Sequence, residues 1–293
     1  MIRLNEISLD FEPRNKILSA LSAHGSGLEN LFLMTEFDLA FLCGALKTFR
    51  PRKIVEVGVA AGGSTAIILQ ALEDLGTPYE MHSIDLSPNF LFEGYTDKPV
   101  GFVAEFAKEK VFGNLRGTHK FYLRKILPQV IDEIGDGIDF VILDTVHSLP
   151  GEVLDFLAVL PYLMDNAVVV LHDVSLHQIV GMFQNSSDPT RNATGVLLSA
   201  VTAEKFLNFQ PETEENLFRY PNIAAFRINE QTAENIENVF LALTLRWSYF
   251  PSEQLVIYRQ HYRRFYSDAL CEIFQDAIDM NAYNFWLAEQ NRN

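Results

Sequence analysis

The stretch Glu56-Val-Gly-Val-Ala-Ala-Gly-Gly-Ser-Thr65 decides the architecture. Just before the glycines, Ile54-Val-Glu-Val57 is short and rich in β-branched residues, the pattern of a strand. After them, Ser64 to Leu75 carries Ile67, Ile68 and Leu72 at helical spacing. The unit reads strand, glycine turn, helix. Glycine lets backbone N–H groups approach a ligand closely, and a helix N-terminus supplies partial positive charge. A small, partly anionic ligand is therefore expected at this turn.

The same alternation continues on both sides. Phe37 to Thr48 has apolar positions at helical spacing and ends at Phe49-Arg-Pro-Arg-Lys53. Met81 to Asp85 reads as a strand ending in an acid, and His119 to Leu123 as a weaker third strand before a helix near Leu127 to Ile134. Ile138-Asp-Phe-Val-Ile-Leu143 and Ala167-Val-Val-Val-Leu171 are nearly all apolar, as expected of parallel strands covered on both faces, with a helix from Gly151 to Leu163 between them. The pattern blurs through the polar stretch Gln184 to Asn192, recovers one strand at Asn222 to Ile228, and turns mostly helical beyond Gln231, with a break near Pro251. The expected fold is α/β, a doubly wound, Rossmann-like and mostly parallel sheet. It divides into a helical lead-in over 1–50, a core over 51–230 and a helical C-terminal addition over 231–293.

Composition narrows the function classes. Of 293 residues, 48% are apolar and 21% charged, which describes a folded globular chain. The net charge of −15 repels a phosphate backbone, so nucleic acid is not an expected partner. The two cysteines, Cys43 and Cys271, are too few for a disulfide framework. Met1 to Pro13 carries acids where an export signal needs a basic start, and no apolar run approaches the about 18–20 residues of a membrane span. A cytoplasmic location is expected.

Three chemistries compete for the glycine turn. Gly58-x4-Gly63-Ser64-Thr65 has part of the phosphate-loop spacing but lacks the lysine that reaches the terminal phosphates. Gly58-x-Ala60-x-x-Gly63 is one substitution from the dinucleotide fingerprint, with Asp85 following on the next strand. Glu56 tilts the choice, because a carboxylate at the strand end suits an ammonium group and repels a pyrophosphate. The resulting acid-x-Gly-x-Ala-x-Gly pattern resembles the first motif of the class I S-adenosylmethionine-dependent methyltransferases, with Ala60 at the middle glycine. The resemblance covers about Phe37 to Asp173 and implies a cofactor site at Glu56, Gly58, Ala60, Gly62, Ser64 and Asp85. Glu56 and Gly58 would flank the methionine part, and Asp85 would accept hydrogen bonds from both ribose hydroxyls.

A second constellation, Asp144-Thr-Val-His147 and His172-Asp173, ends the fourth and fifth strands, where ligands of open α/β sheets bind. It is similar to the small-molecule and sugar O-methyltransferases whose strand-end motifs are Asp-Gly-x-His and His-Asp. His147 is the candidate general base, being of the residue type whose pKa lies nearest neutrality, with Asp144 beside it as the second catalytic residue. The resemblance implies Asp144, Asp173 and His172 as ligands of a divalent cation, magnesium or manganese, which would acidify the acceptor hydroxyl. Thr145 and Val146 depart from the usual pattern, as does Asp165-Asn166-Ala167 before the fifth strand. The alternative for His147 is a helix N-terminal residue bonded to backbone, and for His172 a residue that only orients Asp173.

The segment Tyr258-Arg-Gln-His-Tyr-Arg-Arg-Phe-Tyr266 is basic and aromatic in an acidic chain. An ordinary amphipathic helix is the favoured reading; an active-site cap, a site for a phosphorylated substrate and a homo-oligomer interface are the others. Leu86 to Gly101 is a long loop suited to covering adenine or substrate. The expected activity is methyl transfer from S-adenosylmethionine to a hydroxyl of a small molecule or sugar, with a metal optional. The rivals are a noncatalytic methyltransferase-like binding module and a nicotinamide-dependent oxidoreductase.

Overall fold

The computed structural model of the chain describes residues 5–90, 94–176, 192–209 and 220–290. Its centre is a seven-stranded sheet in the order β3-β2-β1-β4-β5-β7-β6. The strands are β1 (Lys53–Val57), β2 (Glu80–Asp85), β3 (Thr118–Leu123), β4 (Ile138–Leu143), β5 (Leu163–His172), β6 (Glu204–Leu207) and β7 (Ile223–Arg227). The first five pair in parallel, and β7 is inserted antiparallel between β5 and β6. This is the doubly wound, Rossmann-like sheet expected from the alternation.

Side chains of successive strand residues point to opposite faces. Val55, Val57, Val141, Leu143, Val169 and Leu171 fill one core, while Ile54, Phe140, Ile142, Val168 and Val170 fill the other. Both faces are covered, which is why the central strands have no polar alternation. On the second face lie α1 (Glu12–Ala23), α2 (Glu36–Phe49), α3 (Gly63–Leu75) and α4 (Phe102–Ala107); Thr35 and Asp38 form a reciprocal capping box at the start of α2. On the first face lie α5 (Ile131–Ile134), α6 (Gly151–Val159), α7 (Ala193–Ala200), α8 (Glu230–Glu234), α9 (Glu237–Ala242), α10 (Ser252–Tyr262) and α11 (Asp268–Gln290).

Several expectations shift. The helix near Leu127 to Ile134 is a single 3-10 turn, Leu127–Gln129, followed by the one-turn α5, and α6 ends at Val159 in a 3-10 turn. The strand β6 was not expected; Glu-Lys-Phe-Leu is short and half-polar because it forms the sheet edge. Most of the polar stretch Gln184 to Asn192 lies outside the described residues.

The Tyr258 to Tyr266 segment proves to be a packing element. Tyr262 and Tyr266 donate from their hydroxyls to the carbonyls of Leu154 (2.7 Å) and Leu157 (2.6 Å), and His261 Nε2 donates to that of Ala158 (2.9 Å). These bonds seat α10 and the turn after it along α6, and those to Leu157 and Ala158 supply partners in its last turn, where carbonyls have none within the helix. Arg264 pairs with exposed Asp132 at 2.8 Å, so that guanidinium is already committed.

Candidate functional site

The site sits where the winding reverses, between β1 and β4. Val57 and Leu143 pair at the ends of these strands, and Asp144 N–H donates to Val57 C=O (2.9 Å), so the chain leaves the sheet at two adjacent points. Gly58 takes φ +94°, and a Cβ there would lie 1.8 Å from the Asp144 carbonyl oxygen. Only glycine allows the β1 turn to cross the β4 end this closely. Ala60 also adopts a left-handed conformation, φ 50°. The turn is locked to β2: the backbone N–H groups of Val59 and Ala60 donate to Asp85 Oδ2 at 3.0 and 3.2 Å, and that of Ser87 donates to Asp85 Oδ1 at 2.8 Å. A carboxylate has about four lone-pair sites, so Asp85 keeps capacity for a further donor at Oδ1.

Two cavities meet at Gly58, Val59, Ala60, Asp144 and Thr145. One, of about 220 Å³, runs past Asp85 and Leu86 to α6 and the C-terminal helices. The other, of about 330 Å³, opens toward Thr35, Asp38, Ser64, His147, His172 and Asp173. Gly58, Ala60, Ser64 and Asp85 all line one or both. Gly62 and Glu56 line neither. Gly62 packs on Gly101, whose Cα would meet a Cβ at 2.8 Å. Glu56 is 1% exposed and lies beneath the turn, not in it. It accepts from Ser83 Oγ (2.6 Å), from Thr65 Oγ1 (2.9 Å) and, more loosely, from Ser64 Oγ (3.4 Å). Burial pushes its carboxyl up to about 7 despite these hydroxyls. It supports the turn from below and does not line either cavity, whereas the sequence reading expects it beside the cofactor's ammonium group.

In the second cavity the ends of β4 and β5 bring Asp144, His147 and Asp173 together, with one ligand atom of each within 4.8 Å of the others. His147 and Asp173 both take left-handed backbone conformations, φ 58° and 60°, which cost about 1 kcal/mol or more apiece. The loop is held in that shape by buried Glu152, whose Oε1 accepts from the backbone N–H groups of Thr145 (3.1 Å) and His147 (2.7 Å). His147 Nδ1 lies 3.4 to 3.7 Å from carboxylate oxygens of Asp173, Asp144 and Glu152, yet among the described residues it is buried without a hydrogen-bond partner. Asp173 Oδ1 accepts from Asn222 Nδ2 at 2.7 Å.

His172 is placed differently from the cation ligand expected of it. Its Nδ1 donates to Asp144 Oδ1 (3.1 Å) and its Nε2 to Asp38 Oδ2 (3.4 Å). Carboxylates only accept, so both ring nitrogens donate and the ring is an imidazolium. Burial alone would lower its pKa, but Asp144, Asp38 and Asp173 raise it well above the usual histidine value. Asp144 is correspondingly below the usual carboxylate range: burial raises it, and the His172 charge more than offsets that. Both His172 nitrogens thus face carboxylates, and the ligand atoms that come together are those of Asp144, His147 and Asp173. Sequence reading missed Asp38, Glu152 and Asn222, which lie on other elements and carry no motif.

The residues fit a divalent cation. Two carboxylates and an imidazole nitrogen that lacks any other partner form a donor set suited to manganese or magnesium. They also fit a nucleoside sulfonium cofactor: a turn open to close approach, an acid at the β2 end that lines the cavity, and two joined cavities.

Residues 55–174 match a family model described as a methyltransferase domain. No curated protein matches the chain. Among solved structures, the O-methyltransferase TomG of Streptomyces achromogenes, involved in tomaymycin synthesis and solved with S-adenosylmethionine, is 17% identical with a TM-score of 0.47, over 76% of this chain and 92% of that one. The methyltransferase PaMTH1 of Podospora anserina, bound to S-adenosylhomocysteine, is 11% identical with a TM-score of 0.48, over 74% and 88%. An O-methyltransferase of Bacillus cereus, also bound to S-adenosylhomocysteine, is 17% identical with a TM-score of 0.46, over 75% and 92%. The Asp85-locked turn and the ends of β4 and β5 all lie within residues 55–174, the stretch that is similar to the methyltransferase domain model.

Proposed function

We propose that the chain is an O-methyltransferase that moves the methyl group of S-adenosylmethionine to a hydroxyl of a small molecule, with sugars and glycan precursors among the candidate acceptors. The observation that carries this reading is the meeting of the two cavities at Gly58–Ala60 and Asp144–Thr145, with His147 and Asp173 just beyond the junction. The nucleoside half of the cofactor belongs in the Asp85 cavity and the acceptor in the His147 cavity.

S-adenosylmethionine, when bound, supplies an electrophilic methyl group on a positively charged sulfur. The chain's own work is positioning and proton removal. Asp85 binds the ribose hydroxyls from β2, while Gly58, Ala60 and Ser64 let the cofactor lie against the turn. The His147 ring, part of which lines the cavity, accepts the acceptor hydroxyl's proton as attack proceeds, and Asp144 and Asp173, which lie beside its buried Nδ1, stabilise the resulting charge. The fixed His172 imidazolium holds Asp144 ionised and oriented. If manganese or magnesium binds, Asp144, His147 and Asp173 are its ligands and it acidifies the acceptor hydroxyl; in that case the proton leaves to solvent or another base.

The test begins with calorimetric titration of metal-stripped protein with S-adenosylhomocysteine. Micromolar binding, lost in Asp85→Ala, is the expected result. Absence of binding, or binding of a nicotinamide dinucleotide instead, rejects the reading. Hydroxylated acceptors are then screened with and without manganese. Tight cofactor binding with no turnover of any acceptor, and no effect of Asp144→Asn, would favour the noncatalytic module.

A further inference from the structure

At the end of β5 away from the glycine turn lies another cavity, of about 590 Å³. The strand begins at its wall with Leu163 and ends at His172. The cavity opens where the sheet is interrupted. Ile138 of β4 pairs with Leu163 but Phe140 pairs with Val168, so Asp139 alone stands opposite Met164-Asp-Asn-Ala167. Within that excursion Asn166 takes a left-handed conformation, φ 64°. This is the Asp165-Asn166-Ala167 stretch that departs from the usual pattern before the fifth strand, and methyl transfer uses none of it.

Its walls are largely apolar. Leu163 comes from β5, Ile236 from the turn before α9, Phe265 from the link after α10 and Leu270 from α11. Phe265 is 41% exposed, so this apolar surface is left open rather than packed. Two acids, Asp165 and Glu230, complete it. Ile228 N–H donates to Ala167 C=O at 3.0 Å, extending the antiparallel register in which Val168 faces Arg227. Two residues further out along each chain come Asp165 and Glu230. Like charges on facing chains are destabilising unless a cation compensates them. Among the described residues neither acid has an ion-pair or hydrogen-bond partner, and no lysine, arginine or histidine lines the cavity. Arg227 and Arg264, on adjoining elements, pair instead with Glu204 and Asp132.

We propose that this cavity binds an apolar ammonium compound, its hydrocarbon body against Leu163, Ile236, Phe265 and Leu270 and its charged nitrogen at Asp165 and Glu230. An ammonium group has three N–H donors and no acceptor, which suits two carboxylates left without donors of their own. The volume falls within the range of about 300–1,000 Å³ usual for small-molecule sites. A neutral compound leaves the two acids uncompensated, and an anion is repelled by them. The cavity shares no lining residue with the two at the glycine turn, so the inference stands apart from the methyl-transfer reading.

The test uses three probes that share one hydrocarbon body and differ in charge: phenylbutylamine, phenylbutanol and phenylbutyrate. Each is titrated at neutral pH and low salt into the full chain, labelled for methyl and amide NMR. The amine is expected to give saturable shifts at the Leu163, Ile236 and Leu270 methyls, with millimolar affinity or tighter. An exposed ion pair has a small effect, so two together are expected to favour the amine over the alcohol by about two- to thirtyfold, with no binding of the carboxylate. Asp165→Asn and Glu230→Gln, both at exposed positions, should each lower that preference, and the double variant should bring amine and alcohol to equal affinity. Ala233→Trp fills the cavity from an exposed position on α8 and should abolish binding of both. The net charge of −15 attracts any cation weakly, so the location of the shifts decides. Shifts scattered over the acidic surface, or no saturation, overturn the proposal. So does a wild type that binds the alcohol as tightly as the amine, or a double variant that keeps the preference.

Discussion

At Gly58 the backbone itself selects the residue. With φ at +94° and the Asp144 carbonyl 1.8 Å from any added Cβ, Gly58→Ala must push the β1 turn off the end of β4. The loss is expected to be on the order of 2 kcal/mol or more in denaturant unfolding, with S-adenosylhomocysteine binding abolished. A variant that binds normally would show that the close crossing is not needed. Glu56 makes a different kind of prediction. Its folded pKa of about 7 lies above the ordinary 4.5, so below that lower value both folded and unfolded chains hold the proton. Between 4.5 and about 7 the unfolded chain releases it first, and stability therefore falls as pH rises through this window. A shift of this size corresponds to at most about 3.5 kcal/mol. Glu56→Gln removes the loss: it is expected to melt above wild type at pH 8, with the advantage shrinking at pH 5. Thermal melts across that range check the sign, and a variant less stable than wild type at pH 8 would mean that the ionised carboxylate is worth more to Ser83 and Thr65 than its burial costs.

Among the elements, the C-terminal helices are part of the same core as the sheet. Trp247, Tyr262 and Phe274 are each 1% exposed or less and pack in one cluster with Val141, Phe156 and Val169. Trp247→Ala is expected to destabilise by about 3–5 kcal/mol, and denaturant unfolding should show one transition for the whole chain. Separate transitions for core and addition would contradict the shared cluster. Elements of this kind were readable to the extent that their burial was uniform. The strands β1, β2, β4 and β5 announce themselves because both faces are covered, and the helix α3 because its apolar stripe follows a glycine turn. The edge strand β6 has only Phe206 buried, and α5 is one turn long, so neither has enough repeats for a period to emerge. The site divides in the same way. Asp85, Asp144 and Asp173 stand at strand ends and follow from the pattern, whereas Asp38 acts through His172 from 134 positions away, a distance only the packing of α2 can close. Glu56 shows the limit within a motif, since position in the turn did not reveal that its side chain points below it.

The charge of the whole molecule bears on which acceptor it admits. The chain carries 38 acidic against 23 basic residues, a net −15. The cavity proposed for the acceptor adds Asp38, Asp144 and Asp173 around His172, and no lysine or arginine is among its described lining residues. Among the described lining residues of the neighbouring cavity the one cation is Lys125, on the side proposed for the nucleoside. A neutral hydroxyl compound enters such a field without cost, whereas a phosphate or carboxylate on the acceptor is repelled both on approach and in the cavity. Salt separates these contributions, because the screening length shrinks from about 30 Å at 0.01 M to about 8 Å at 0.15 M. For a neutral acceptor and its phosphomonoester, kcat/KM measured at those two ionic strengths is therefore expected to favour the neutral compound by about tenfold or more at low salt. The gap should narrow at high salt through a falling KM for the phosphorylated compound alone. A phosphomonoester that is the better substrate at low salt, and worsens as salt is added, would require a cation facing the acceptor and would reverse the assignment of the two cavities.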